Sequence, residues 1–111
     1  MYIPTPFDSA TRLHNMNNLF IPFELHSNKN NYEWLVRGIG QTLDEAIGLV
    51  AQNRLIASDE FDPGNWVIEE VPVGVALRTT PLSEYSDSVW IVSGAIAKYD
   101  IDGTILQPSP D

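Results

Sequence analysis

The chain has 111 residues and no cysteine; Ile, Leu, Val and Phe fill 32 positions, and 15 Asp and Glu oppose six Lys and Arg for a net charge of −9. Those numbers fit one domain with a real apolar core, and they exclude disulfides, thiolate metal sites and a membrane-spanning helix of roughly 20 apolar residues. The start, Met1-Tyr2-Ile3-Pro4-Thr5-Pro6, is not built like a secretory signal, so a cytoplasmic protein is expected.

Residues 1–18 read as an extended N-terminal arm. Pro4 and Pro6 disfavour helix, and Asn15, Asn17 and Asn18 weaken any turn that Asp8 caps. One domain is expected over 19–106. Leu19 to His26 alternates, with Leu19, Ile21, Phe23 and Leu25 on one face and Phe20, Pro22, Glu24 and His26 on the other. That is a strand, and Pro22 suggests a sheet edge. Tyr32 to Ile39 alternates again, and the Asn-rich stretch 27–31 makes the pair a hairpin with a five-residue loop.

Thr42-Leu43-Asp44-Glu45 is a capping box, with the Thr42 hydroxyl facing the Glu45 N–H and the Glu45 side chain reaching back to the Thr42 N–H. Leu43, Ala46, Ile47, Val50 and Ala51 recur at helical spacing, and Leu49, Leu55 and Ile56 widen that stripe. A helix is therefore expected over about 43–57. Asp62-Pro63-Gly64-Asn65 marks a turn. Trp66 to Val71 reads as a strand that Pro72 and Gly74 disturb, at a bulge or an edge, with Val73, Val75 and Leu77 continuing one face to Thr80. Val89 to Ile101 is the longest strand candidate, with a bend at Gly94. Asp102-Gly103 favours a type I′ hairpin turn into a short strand at Thr104-Ile105-Leu106, and residues 107–111 form a tail. This order predicts an α+β fold: a mostly antiparallel sheet of four to five strands with one main helix packed on one face. Trp34, Trp66 and Trp90 each fall in a strand candidate and are expected to pack.

Chemistry is sparse in this sequence. Gly38-Ile39-Gly40 precedes a helix, but Leu43 stands where a dinucleotide fingerprint needs its third glycine, and Asp44 and Glu45 repel phosphate. His14 and His26 match no usual zinc spacing. Neither a metal nor another cofactor is expected. Asp100-Ile101-Asp102-Gly103-Thr104 resembles the first motif of the haloacid-dehalogenase-like phosphatases. That resemblance implies an Asp100 nucleophile, Asp102 as acid and base, and Mg²⁺ between them. The family places this motif at the start of its fold, whereas eight residues follow Gly103 here. A hairpin turn is the reading that fits the position.

The acidic stretch carries the functional expectation. Asp59, Glu60, Asp62, Glu69 and Glu70 lie within twelve residues that hold no Lys or Arg, and Glu84 and Asp87 follow in the next polar loop. The six cations, Arg12, Lys29, Arg37, Arg54, Arg78 and Lys98, are too scattered for a phosphate-binding patch. Direct binding to nucleic acid or to anionic membranes is therefore not expected. A basic protein partner suits an acidic rim. In length, charge and lack of cysteine the chain resembles small phage or plasmid inhibitors: anti-CRISPR, anti-restriction and immunity proteins. That resemblance implies a non-enzymatic module that docks on a host nuclease or another nucleic-acid-binding complex. Duplex DNA carries one charge per roughly 1.7 Å, so a domain about 30 Å across would need on the order of 18 charges to imitate it. A net charge of −9 covers a short stretch of backbone at most. The alternative is a self-assembling structural subunit of virion type, whose arm, tail and edge strands reach neighbouring copies; oligomeric state is open.

Overall fold

In the computed structural model, residues 18–28, 31–74, 76–82 and 90–107 are described. Residues 1–17 of the expected arm 1–18, residues 108–111 of the expected tail 107–111, Glu84 and Asp87 lie outside them; Asn18 and Gln107 belong to strands. Five strands form one antiparallel sheet: β1 (Asn18–Asn28), β2 (Asn31–Val36), β3 (Trp66–Pro72), β4 (Ala97–Tyr99) and β5 (Ile105–Gln107), in spatial order β2-β1-β3-β4-β5. The main helix α1 spans Leu43–Ala57. The fold is α+β.

β1 and β2 pair as far as Asn28↔Asn31, so the connection is two residues, not the expected five. β1 is also not an edge. It pairs with β2 on one side and β3 on the other. Backbone geometry explains how Pro22 is tolerated there. Phe20 and Gly40 exchange two bonds of 2.8 Å, and the Arg37 N–H donates to the Pro22 carbonyl at 2.9 Å. Backbone groups alternate sides along a strand, so the N–H that Pro22 lacks would point to the same side. There the chain takes three steps from Arg37 to Gly40 while β1 takes two from Phe20 to Pro22. The missing donor falls at a bulge, and the Arg37 carbonyl opposite Pro22 accepts the Asn53 side-chain amide instead, at 3.3 Å.

β2 and β3 both run antiparallel to β1 and hence parallel to each other, so a crossover must join them. Helix α1 is that crossover. The Thr42 hydroxyl accepts the Glu45 N–H at 3.1 Å, as the capping box requires. The Glu45 carboxylate instead accepts the Gln41 N–H at 2.6 Å, one residue before the expected Thr42. Ala46 and Val50 are buried against Trp66 and Ile68, with Phe20, Leu43, Ile47, Phe61 and Tyr99 packed around them. This is the helix-side core.

The opposite face presents Ile21, Phe23, Val67 and Val71, which Ile91, Val92 and Ala95 cover. Burying each of these large side chains contributes roughly 1.5–3 kcal/mol. The cover is an irregular two-legged arm. Thr80 N–H donates to the Ile91 carbonyl at 2.7 Å, and Ser93 N–H to the Arg78 carbonyl at 2.8 Å, around the single bridge Thr79↔Val92. The strand expected over Val89–Ile101 is accordingly broken: Gly94 sits at φ +93°, and only Ala97–Tyr99 joins the sheet. β3 likewise ends at Pro72, where the chain turns through Val73 and Gly74, the latter at φ +86°, and among the described residues no strand continues to Thr80. Far from being an edge, β3 is the middle strand.

The β4–β5 turn is also not type I′. Gly103 N–H donates to the Asp100 carbonyl and Asp100 N–H to the Thr104 carbonyl, with Gly103 at φ +93°. This is the three-residue hairpin loop in which a type I turn is closed by a left-handed glycine bulge.

Two glycines make the packing testable. A Cβ on Gly40 would lie 2.8 Å from the Ala46 backbone nitrogen, whereas one on Gly48 meets nothing within 4 Å. Gly40→Ala should destabilise by about 1–3 kcal/mol. Gly48→Ala, in the helix interior, should stabilise by about 0.5–1 kcal/mol. Urea unfolding of the two variants reads both signs.

Candidate functional site

The five described residues of the acidic set, Asp59, Glu60, Asp62, Glu69 and Glu70, do not form one rim. Glu69 is fully buried on the arm-covered face of β3. Its Oε2 accepts the Ile91 N–H at 2.7 Å and its Oε1 the Val92 N–H at 2.9 Å. Lys98 on β4 stands directly opposite, with Nζ 3.6 Å from Oε2 and 4% of its surface exposed. The same Nζ lies 5.8 Å from the centre of the Trp90 ring. Burial pushes the Glu69 carboxyl above its ordinary value of 4.5; the two N–H donors and Lys98 oppose that rise. Glu69 is a structural clamp, and it leaves the docking set for that reason.

Glu70 points to the other face, as period-two alternation requires. It accepts the Tyr99 hydroxyl at 2.7 Å and the Asn18 side-chain amide at 2.6 Å. Burial and the neighbouring Glu70 carboxylate push the Tyr99 hydroxyl up to about 12. Glu70 is thus committed inside the chain as well.

Among the described members Asp59, Glu60 and Asp62 remain, and all three are exposed. They sit on the 3₁₀ turn Ser58–Glu60 and the step into a second one at Pro63–Asn65. The segment is anchored from within. Phe61 turns inward and stacks on Trp66, ring centres 5.5 Å apart and planes 28° apart. Arg54 from the last turn of α1 lies 5.3 Å over the Phe61 ring. Asp62 caps the second turn by accepting the Gly64 N–H at 2.9 Å. The carboxylates on either side of this partly buried ring are exposed.

Two apolar side chains stand beside them that the sequence assigned to the core stripe. Leu55 and Ile56 are each 83% exposed, more than any other large apolar residue described. The helical period explains the miss: Ala46 and Val50 already fill the space against the sheet, and Leu55 falls on the far side of the cylinder. A cleft of about 340 Å³ opens next to this corner, walled by Ile56 and Glu60 together with His26, Arg37 and Asn53. The Glu24–Arg37 contact within it, 2.9 Å, is a partly exposed pair, of a kind that contributes little to stability.

Elsewhere the polar groups serve local structure. Asp100 accepts the Ile101 N–H at 2.7 Å and Asp102 the Thr104 N–H at 2.8 Å. The second bond holds the Asp102 carboxyl below its usual range. No group of three or more His, Asp or Glu among the described residues is arranged to hold a metal. A larger cleft of about 540 Å³ is lined mainly by Leu25, Trp34, Val67 and Leu106, and Lys98 at its wall is turned to Glu69. No described helix is long and apolar enough to cross a membrane. No protein-family model matches the chain, and no curated protein or solved structure matches it.

The Glu69 clamp makes two measurable statements. Glu69→Gln and Lys98→Met should each destabilise by about 3–5 kcal/mol, and the double variant by less than the sum, because each single change strands a buried charge or donor. A carboxyl raised in the folded state contributes stability that is complete below its ordinary value of 4.5 and is lost as pH rises through the raised value. The stability gap between wild type and Glu69→Gln should therefore widen as pH falls from 8 to 4.5 in paired urea titrations. A gap that narrows would contradict the assigned direction.

Proposed function

We propose that this chain is a non-enzymatic protein-binding module that docks through the corner formed by Leu55, Ile56, Asp59, Glu60 and Asp62. The observation that carries the reading is the juxtaposition of two almost fully exposed aliphatic side chains with three outward carboxylates. Apolar anchors surrounded by charge are the usual anatomy of a binding surface: the anchors supply affinity, and the charges supply rate and selectivity. The carboxylates select a basic partner, and the net charge of −9 extends that preference over the whole molecule. Host nucleases and other nucleic-acid-binding proteins present basic surfaces of this kind, which favours an inhibitor that competes with nucleic acid. With three carboxylates at the corner, it works by covering a site rather than by imitating a duplex.

Leu55, Ile56, Asp59 and Glu60 can be changed without touching the core or the Asp62 cap. Asp59→Lys/Glu60→Lys and Leu55→Ser/Ile56→Ser should each unfold within about 0.5 kcal/mol of wild type, as exposed substitutions do. Both should weaken binding to a basic protein captured from host lysate at least tenfold in calorimetry, and raised salt should reduce only what the carboxylates contribute. Unchanged affinity in both folded variants would end the reading.

A further inference from the structure

The outward face of α1 lacks what a solvent-facing helix carries. Residues 46–53, Ala-Ile-Gly-Leu-Val-Ala-Gln-Asn, contain no charge. Gly48, Ala51, Gln52 and Leu55 are all exposed and lie along one side of the cylinder at helical spacing. A surface helix normally opposes its apolar stripe with charged residues, and one that is apolar all round is a helix covered on both sides. Here the sheet covers one side only. Charge returns at both ends of the strip: Asp44 and Glu45 in the first turn, Arg54 in the last, drawn over the Phe61 ring, and Asp59, Glu60 and Asp62 just past it, all exposed. The strip is also low. Space around Gly48 is open, so another backbone can approach closely there.

From this arrangement we infer the kind of element that docks: an amphipathic α-helix of the partner, lying along α1, apolar over its central turns and carrying Lys or Arg at both ends. The inference rests on the docking reading above and narrows it. A helix fits because the strip runs along one side of α1 with acidic groups beyond each end. Gly48 to Leu55 covers seven steps at 1.5 Å, about 10 Å, and the acidic groups extend it at either end. Helices pack at 8–10 Å when small residues sit at the contact, and Gly48 and Ala51 provide them. A partner with one basic end would leave Asp44 and Glu45 or Asp59 and Glu60 uncompensated.

The test uses the full chain and a synthetic helical peptide with Leu at every third and fourth position over its central three turns and Lys pairs at both ends. A twin peptide carries Glu in place of Lys. The Lys-ended peptide should bind saturably, with amide shifts confined to residues 44–62, and the Glu-ended twin at least tenfold more weakly. Gly48→Lys places bulk and charge in open space on a helix, so it should fold at least as stably as wild type and yet lose at least tenfold in affinity. Equal binding of both peptides, no saturable binding of the Lys-ended one, or full binding by Gly48→Lys would overturn the inference. The parent reading is separable. If a captured basic protein is lost on Asp59→Lys/Glu60→Lys but kept by Gly48→Lys, docking at the acidic corner stands and the helical mode falls.

Discussion

The interaction on which the rest depends is the carboxylate of Glu69 in the middle of the sheet. The described residues between β3 and β4 form little regular structure with which to satisfy their own backbone, and they must nonetheless cover one face of the apolar core. Ile91 and Val92 bury their side chains against Ile21, Phe23, Val67 and Val71. Their N–H groups would then be taken from water without partners, at about 1–3 kcal/mol each. Glu69 receives both, and Lys98 balances the charge so introduced. The ion pair is a consequence of covering a sheet with a loop.

The two faces of the sheet are consequently stabilised in different ways. On the helix side, α1 satisfies its own backbone, so its contact with Trp66 and Ile68 needs only apolar side chains. On the other side, the arm's backbone is completed by a side chain of the sheet. This asymmetry consumes acidic residues. Glu69 and Glu70 hold the arm, Asn18 and Tyr99 in place, and Asp100 and Asp102 organise the β4–β5 turn. A net charge of −9 therefore overstates the charge available to a partner. What remains in one place is the end of α1 and the turn after it. There Phe61 is drawn into the core and its acidic neighbours are left outside. The same helix leaves Leu55 and Ile56 in water, so charge and apolar surface meet at one corner for geometric reasons.

Much of the fold was legible because it rests on local rules. The period of Leu43, Ala46, Ile47 and Val50, with Thr42 before them, marks the helix to its last residue. Alternation from Leu19 to Leu25 correctly separates the two faces of β1. The opposite placement of Glu69 and Glu70 follows from the same alternation. Where a residue's meaning depended on a distant neighbour, local rules misled. Pro22 speaks for an edge until the bulge between Arg37 and Gly40 is known to face it. Glu69 looks like one more surface acid, although the lone Lys98 in an otherwise apolar run is a sign that a buried anion stands opposite it.

By itself the sequence determined composition, charge, the helix, the strand faces and the α+β class, because each follows from periodicity and capping among residues close along the chain. Tertiary structure alone decided the strand order, the irregular arm where one long strand was expected, and which carboxylates face water. The reason is the same in each case. Burial is a property of the space between elements, and the Glu69 carboxylate, one of two adjacent acids on a strand, becomes a core group once its face of the sheet is covered.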